Sequence, residues 1–101
     1  MMDIAVFGDR DFVQGFRLAG VKRIHERGQG AIQEEMGKLI GDLSIGILIV
    51  SDNDVKGLPH AFKEALADNV RPVVIPVGKE DEGDIRERIK RAIGIDLYAR
   101  K

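Results

Sequence analysis

Residues 3–21, Asp3-Ile4-Ala5-Val6-Phe7-Gly8-Asp9-Arg10-Asp11-Phe12-Val13-Gln14-Gly15-Phe16-Arg17-Leu18-Ala19-Gly20-Val21, carry an apolar strand through a glycine turn and straight into a helix. Ile4 to Phe7 form an unbroken apolar run, which suits a parallel strand covered by helices on both faces better than a strand wetted on one side. The run therefore predicts a central strand. Gly8 permits a sharp turn, and Asp9 or Asp11 can accept hydrogen bonds from the first free helical amides. Phe12, Phe16 and Ala19 then recur at helical spacing.

Outward from this unit the chain alternates in the same way. A short segment from Val21 to His25 reads as an exposed second strand, and Gly28-Gln29-Gly30 breaks the chain before a second helix. Ile32, Met36, Leu39, Ile40 and Leu43 share one helical face, and Ile45 to Val50 form the most apolar run, the second central strand. Leu58, Ala61, Phe62, Ala65 and Leu66 mark a third helix, which Asn69 stops before Pro72-Val73-Val74-Ile75-Pro76-Val77. Proline cannot donate a ladder hydrogen bond, so Pro72 and Pro76 place this last strand at an edge. Asp84 with Glu87 reads as a capping box that starts the final helix near Asp84. Ile85, Ile89 and Ile93 give that helix a narrow apolar stripe, and Asp84 with Arg88 and Glu87 with Arg91 supply acid-before-base pairs. Right-handed crossovers between these elements give an α/β fold, a doubly wound, four-stranded parallel sheet in the order 2-1-3-4 with helices on both faces. The chain divides into a globular part, residues 1–78, and a polar connection with an amphipathic C-terminal helix, residues 79–101.

Composition narrows the functions on offer. A chain of 101 residues suits one compact domain, and a net charge of -1 gives no global reason to expect nucleic acid or an anionic membrane as partner. The absence of cysteine excludes disulfides and thiolate metal sites and fits a reducing cytoplasm. No apolar run approaches the roughly 20 residues that span a bilayer, so a soluble, unexported chain with no direct membrane insertion is expected.

The strand order brings the loops after the first and third strands together at a switch point, where open α/β sheets bind ligands. Gly8-Asp9-Arg10-Asp11 lacks both the glycine spacing of a dinucleotide fingerprint and a triphosphate-binding lysine, and its carboxylates repel phosphate. Asp9 and Asp11 could instead hold magnesium while Asp52 accepts a phosphoryl group and Lys79 pairs with it, as in a receiver-like signalling domain. Against this, a fifth strand, an adjacent acidic pair and a lysine after that strand are missing, and Asp52 and Asp54 also serve as ordinary helix starters. His25 and His60 lack partners at metal-ligand spacing, and Ser44 and Ser51 lie in no nucleophile elbow. No catalytic constellation and no cofactor follow from these residues.

Ala5-Val6-Phe7-Gly8-Asp9 followed by Gly15-Phe16-Arg17-Leu18-Ala19-Gly20-Val21 resembles the opening of the F subunit of archaeal and vacuolar-type rotary ATPases. Ile47 to Val50, Pro72 to Val77, and Ile89-Lys90-Arg91-Ala92-Ile93-Gly94-Ile95-Asp96-Leu97 resemble the same protein in the same order, so the likeness spans nearly the whole chain. The resemblance implies a non-catalytic component of the central rotor stalk that binds the coiled coil of the D subunit and helps couple ATP turnover to ion movement. ATP chemistry would then belong to the A and B subunits. Ile85, Ile89 and Ile93, with the basic residues Arg86, Arg88, Lys90 and Arg91, are the candidate partner-binding residues. If the stripe is the whole attachment, it holds the helix only lightly to its own domain, the alternative being an ordinary last helix packed on it; the basic face, continued by Arg100 and Lys101, offers a match to acidic loops of the catalytic head, the alternative being a solvated helix face. Tyr98 is the tail's one aromatic residue, which gives no stacking platform for nucleic acid.

Overall fold

The computed structural model describes residues 3–99, with side chains through residue 93; Arg100 and Lys101 and the side chain of Tyr98 lie outside the described ones. The elements run β1 (Asp3–Gly8), α1 (Arg10–Leu18), β2 (Arg23–Glu26), α2 (Ile32–Ile40), β3 (Ile45–Ser51), α3 (Asp52–Lys56), α4 (His60–Asp68), β4 (Val73–Val77) and α5 (Glu82–Ala99). All strand pairs are parallel and the sheet order is β2-β1-β3-β4, as the apolar runs and the prolines predict. The two continuous apolar runs take the centre, and the edges go to the short, half-buried β2 and the proline-bearing β4.

Both faces of the sheet are covered, which is why β1 and β3 carry no polar alternation. Ala5, Phe7, Leu48 and Val50 face Met36 and Leu39 of α2 and Leu66 of α4, with Leu58 from the loop between α3 and α4. Val6, Ile49 and Val77 face Phe12, Val13 and Phe16 of α1 together with Val21. Phe12 and Phe16 tilt against each other with ring centroids 5.1 Å apart.

Three boundaries differ from the sequence expectation. The second strand starts at Arg23 rather than Val21, because Val21 is consumed in closing α1: its N–H donates to the Phe16 carbonyl and Gly20 N–H to that of Arg17. This is a Schellman closure, with Gly20 at φ +111° and Val21 packed in the same core cluster as Phe16. The expected third helix is two helices. Gly57 ends α3, and Leu58, restrained by the following Pro59, stays in the loop, so α4 begins at His60. The final helix begins at Glu82, ahead of Asp84. Among the described residues no helix is long and apolar enough to cross a membrane.

Candidate functional site

The last helix follows a turn in which Asp81 N–H donates to the Gly78 carbonyl, and Ile85 N–H donating to the Asp81 carbonyl then opens α5. Asp84 is therefore inside the first turn. Its carboxylate pairs with Arg88 at 3.3 Å instead of capping, and both groups are well exposed, so the pair adds little. The other expected pair, Glu87 with Arg91, is not among the ion pairs of the described residues. Ile85 and Ile89 are half-buried against the cluster of Phe12, Val13, Phe16 and Val77. Ile93 lies over Gly20, where a Cβ would stand 3.3 Å from Ile93 Cδ1. The apolar stripe is thus seated on the chain's own domain.

Of the basic residues, Arg88, Lys90 and Arg91 are exposed, whereas Arg86 is half-buried. Arg86 lies across Gly15 of α1, and a Cβ at Gly15 would overlap its guanidinium. The bare glycine surface is what lets a bulky cation lie between two helices. Arg86 and Lys90 border a shallow groove with Gly15, Leu18 and Ala19, and Arg86 also reaches a larger cleft on its other side.

That cleft, of about 920 Å³, opens at the carboxyl ends of β1, β3 and β4. It gathers Asp9, Asp11, Asp52 and Lys79, the residues of the receiver-like reading, along with Ser51 and Lys56. Two of these residues have partners within their own elements. Asp9 Oδ1 accepts from Phe12 N–H at 2.9 Å as the cap of α1, and Asp52 pairs with Lys56 at 3.3 Å. Among the described residues no three of His, Asp and Glu stand close enough together to hold a metal ion.

A half-buried ion pair beside this cleft was not legible in the sequence. Arg27, just after β2, donates its backbone N–H to the Gly8 carbonyl and its guanidinium to Asp54 of α3, which is 6% exposed. Burial pushes the Asp54 carboxyl up, the Arg27 charge and hydrogen bond oppose this, and nearby Asp9 adds to the rise. The pair ties the edge strand to the far side of β1, a structural role. His25 is half-buried on β2, and burial, then the charge of Arg23, lower its pKa while Asp42 opposes them. His60 is exposed and lies 2.9 Å from Glu64 on its own helix.

The family model described as ATP synthase (F/14-kDa) subunit matches residues 4–93. The F subunit of the A-type ATP synthase of Methanothrix thermoacetophila is 41% identical over 98 residues, a match that covers 96% of this chain and 99% of that protein. The corresponding protein of Methanococcoides burtonii is 36% identical at the same coverage. The crystal structure of the V-type ATP synthase F subunit from Archaeoglobus fulgidus superposes with a TM-score of 0.57 at 32% identity, covering 76% of this chain and 98% of that one. With matching sequence, strand order and fold, the chain belongs to the F-subunit family of A-type and V-type ATP synthases.

Proposed function

We propose that the chain is a non-catalytic component of the central rotor stalk, cytoplasmic and peripheral to the membrane, which docks on the coiled coil of the D subunit and helps couple ATP turnover on the A and B subunits to ion movement. The observation that carries this reading is the family match across residues 4–93. In the cleft, Asp9 is engaged in capping α1 and Asp52 in an ion pair with Lys56, roles that a transmission part also requires. Residues 1–78 are the docking body in this reading. Residues 79–101 act as a separable arm, with Ile85 and Ile89 resting on the body and Arg88, Lys90 and Arg91 turned to water, where they can meet acidic loops of the catalytic head. Arg86 and Ile93 steer the arm onto α1 through Gly15 and Gly20.

Mixing the folded chain with the folded D subunit, followed by light scattering, tests the reading. A one-to-one complex is expected. Two chains that stay separate at low and moderate salt would shift the assignment to the receiver-like reading, for which a small phosphodonor with magnesium must leave a phosphoryl adduct on Asp52.

A further inference from the structure

Among the described residues, three buried side-chain atoms have no hydrogen-bond partner: His25 Nε2, Glu35 Oε2 and Asp54 Oδ2. All three belong to groups that hold one segment, the end of β2 and the loop after it. Glu35 of α2 accepts the Gly28 N–H on Oε1 at 3.0 Å, and Asp54 of α3 accepts the Arg27 guanidinium on Oδ1. Each carboxylate therefore uses one oxygen and leaves the other buried. An acceptor that regains water when the segment lifts offsets part of the bond lost. The remaining ties are few. Arg27 N–H donates to the Gly8 carbonyl at 2.7 Å, and Glu26 meets Arg10 at 3.6 Å in an exposed pair that holds little. β2 has four residues and one neighbouring strand, and residues 28–31 are exposed. The start of β2 is fastened far better, because Arg23 donates to Ser44 Oγ at 2.7 Å and to Asp42 Oδ2 at 3.0 Å and pairs with Asp3 at 3.5 Å. A hinge between Arg23 and His25 follows from this contrast.

We propose that residues 25–31 form a flap that opens when His25 takes up a proton, lifting Arg27 from Gly8 and Asp54 while β1, β3 and β4 stay paired. His25 stands opposite Phe7 in the strand register, so its ring enters the layer under α2, where Phe7 packs with Met36 and Leu39. A doubly protonated ring would carry an N–H at the buried Nε2 with no acceptor among the described residues. The surrounding charges do not relieve this. Arg23 lies two residues back on the same face of β2, and Asp42, from the loop after α2, is already taken up by Arg23 and Ser44. On β1, Phe7 offers no charge and Asp3 pairs with Arg23; on α2, Glu35 is engaged with Gly28. Burial first, then Arg23, lower the His25 pKa in the closed form, with Asp42 opposing, whereas a ring in water titrates near the ordinary value of about 6.5. The proton therefore binds the open form more tightly, and acid opens the flap. Opening bares the Gly8 carbonyl and Asp54 at the carboxyl end of β1, beside the cleft.

Amide hydrogen exchange on the full chain, corrected for the intrinsic effect of pH, tests the flap at Arg27 and Gly28, whose N–H bonds close it. Between pH 7.5 and pH 5.5 their opening should rise several-fold. The ceiling is about ten-fold, because the lower pH lies about one unit below the ordinary histidine pKa. Both amides should exchange faster than those of residues 48–50 in β3 and stay indifferent to low urea, the mark of a local opening. His25→Gln should remove the acid rise. The NMR titration of the wild-type imidazole needs no variant and should fall below about 6.5. Exchange at Arg27 and Gly28 that matches β3 in rate and urea dependence would mean unfolding of the whole chain and overturn the flap. An acid rise that persists in His25→Gln, or a wild-type imidazole that titrates at or above about 6.5, would overturn the trigger.

Discussion

Gly20 is the residue on which the first turn of the chain depends. At φ +111° it occupies backbone space that a side chain enters only with strain, and it closes α1 so that Val21 drops into the core. Gly20→Ala should cost about 1–2 kcal/mol, a fall in melting temperature of roughly 5–15 °C, and should loosen Ile93 as well, since the new Cβ presses on Ile93 Cδ1. A thermal melt checks the first effect. His25 makes a pH-dependent prediction. Its folded pKa is lowered by burial and by Arg23, so on acidification the unfolded chain takes up its proton first. Stability is then complete above the ordinary histidine pKa of about 6.5 and falls as pH drops through that value toward the folded pKa. Wild type should melt lower at pH 5.5 than at pH 7.5, and His25→Gln should narrow the difference; an unchanged difference would show that other groups carry it.

At the scale of elements, the central strands were legible because Ile4 to Phe7 and Ile45 to Val50 have only one comfortable place, between two helical layers. Pro72 and Pro76 made β4 an edge for an equally local reason. The boundaries that moved did so through capping and proline effects that periodicity does not encode: Val21 closes a helix, and Leu58 is held out of one by Pro59. The α5 stripe was readable as a stripe, and its path across α1 was not: Ile85 and Ile89 rest on the apolar cluster of Phe12, Val13, Phe16 and Val77, but Arg86 and Ile93 lie over Gly15 and Gly20, which carry no apolar signal of their own. The Arg27 and Asp54 pair was illegible for the same reason: long-range pairing joins residues 27 positions apart with no pattern between them. The lightly held arm gives its own prediction. Full burial of an isoleucine stabilises by about 1.5–3 kcal/mol, and Ile85 and Ile89 are only half-buried. Ending the chain at residue 81 should therefore lower stability by about 2–3 kcal/mol and leave one cooperative melt. Loss of cooperative folding would show that α5 is an integral part of the core.

For the whole molecule, α5 spans the length of the sheet. It leaves the cleft at the carboxyl ends of the strands with Arg86 against Gly15 and reaches Gly20, at their amino ends, with Ile93. In the proposed reading the body, residues 1–78, stays fixed to the stalk while the arm meets a head that changes state, provided that docking does not depend on the arm. The most direct measurement compares the affinity of the D subunit for the full chain with its affinity for the chain ending at residue 81. If the body carries the docking, the two affinities agree within a few-fold. Loss of binding by a truncated chain that still melts cooperatively would contradict docking through the body and move the interface onto α5.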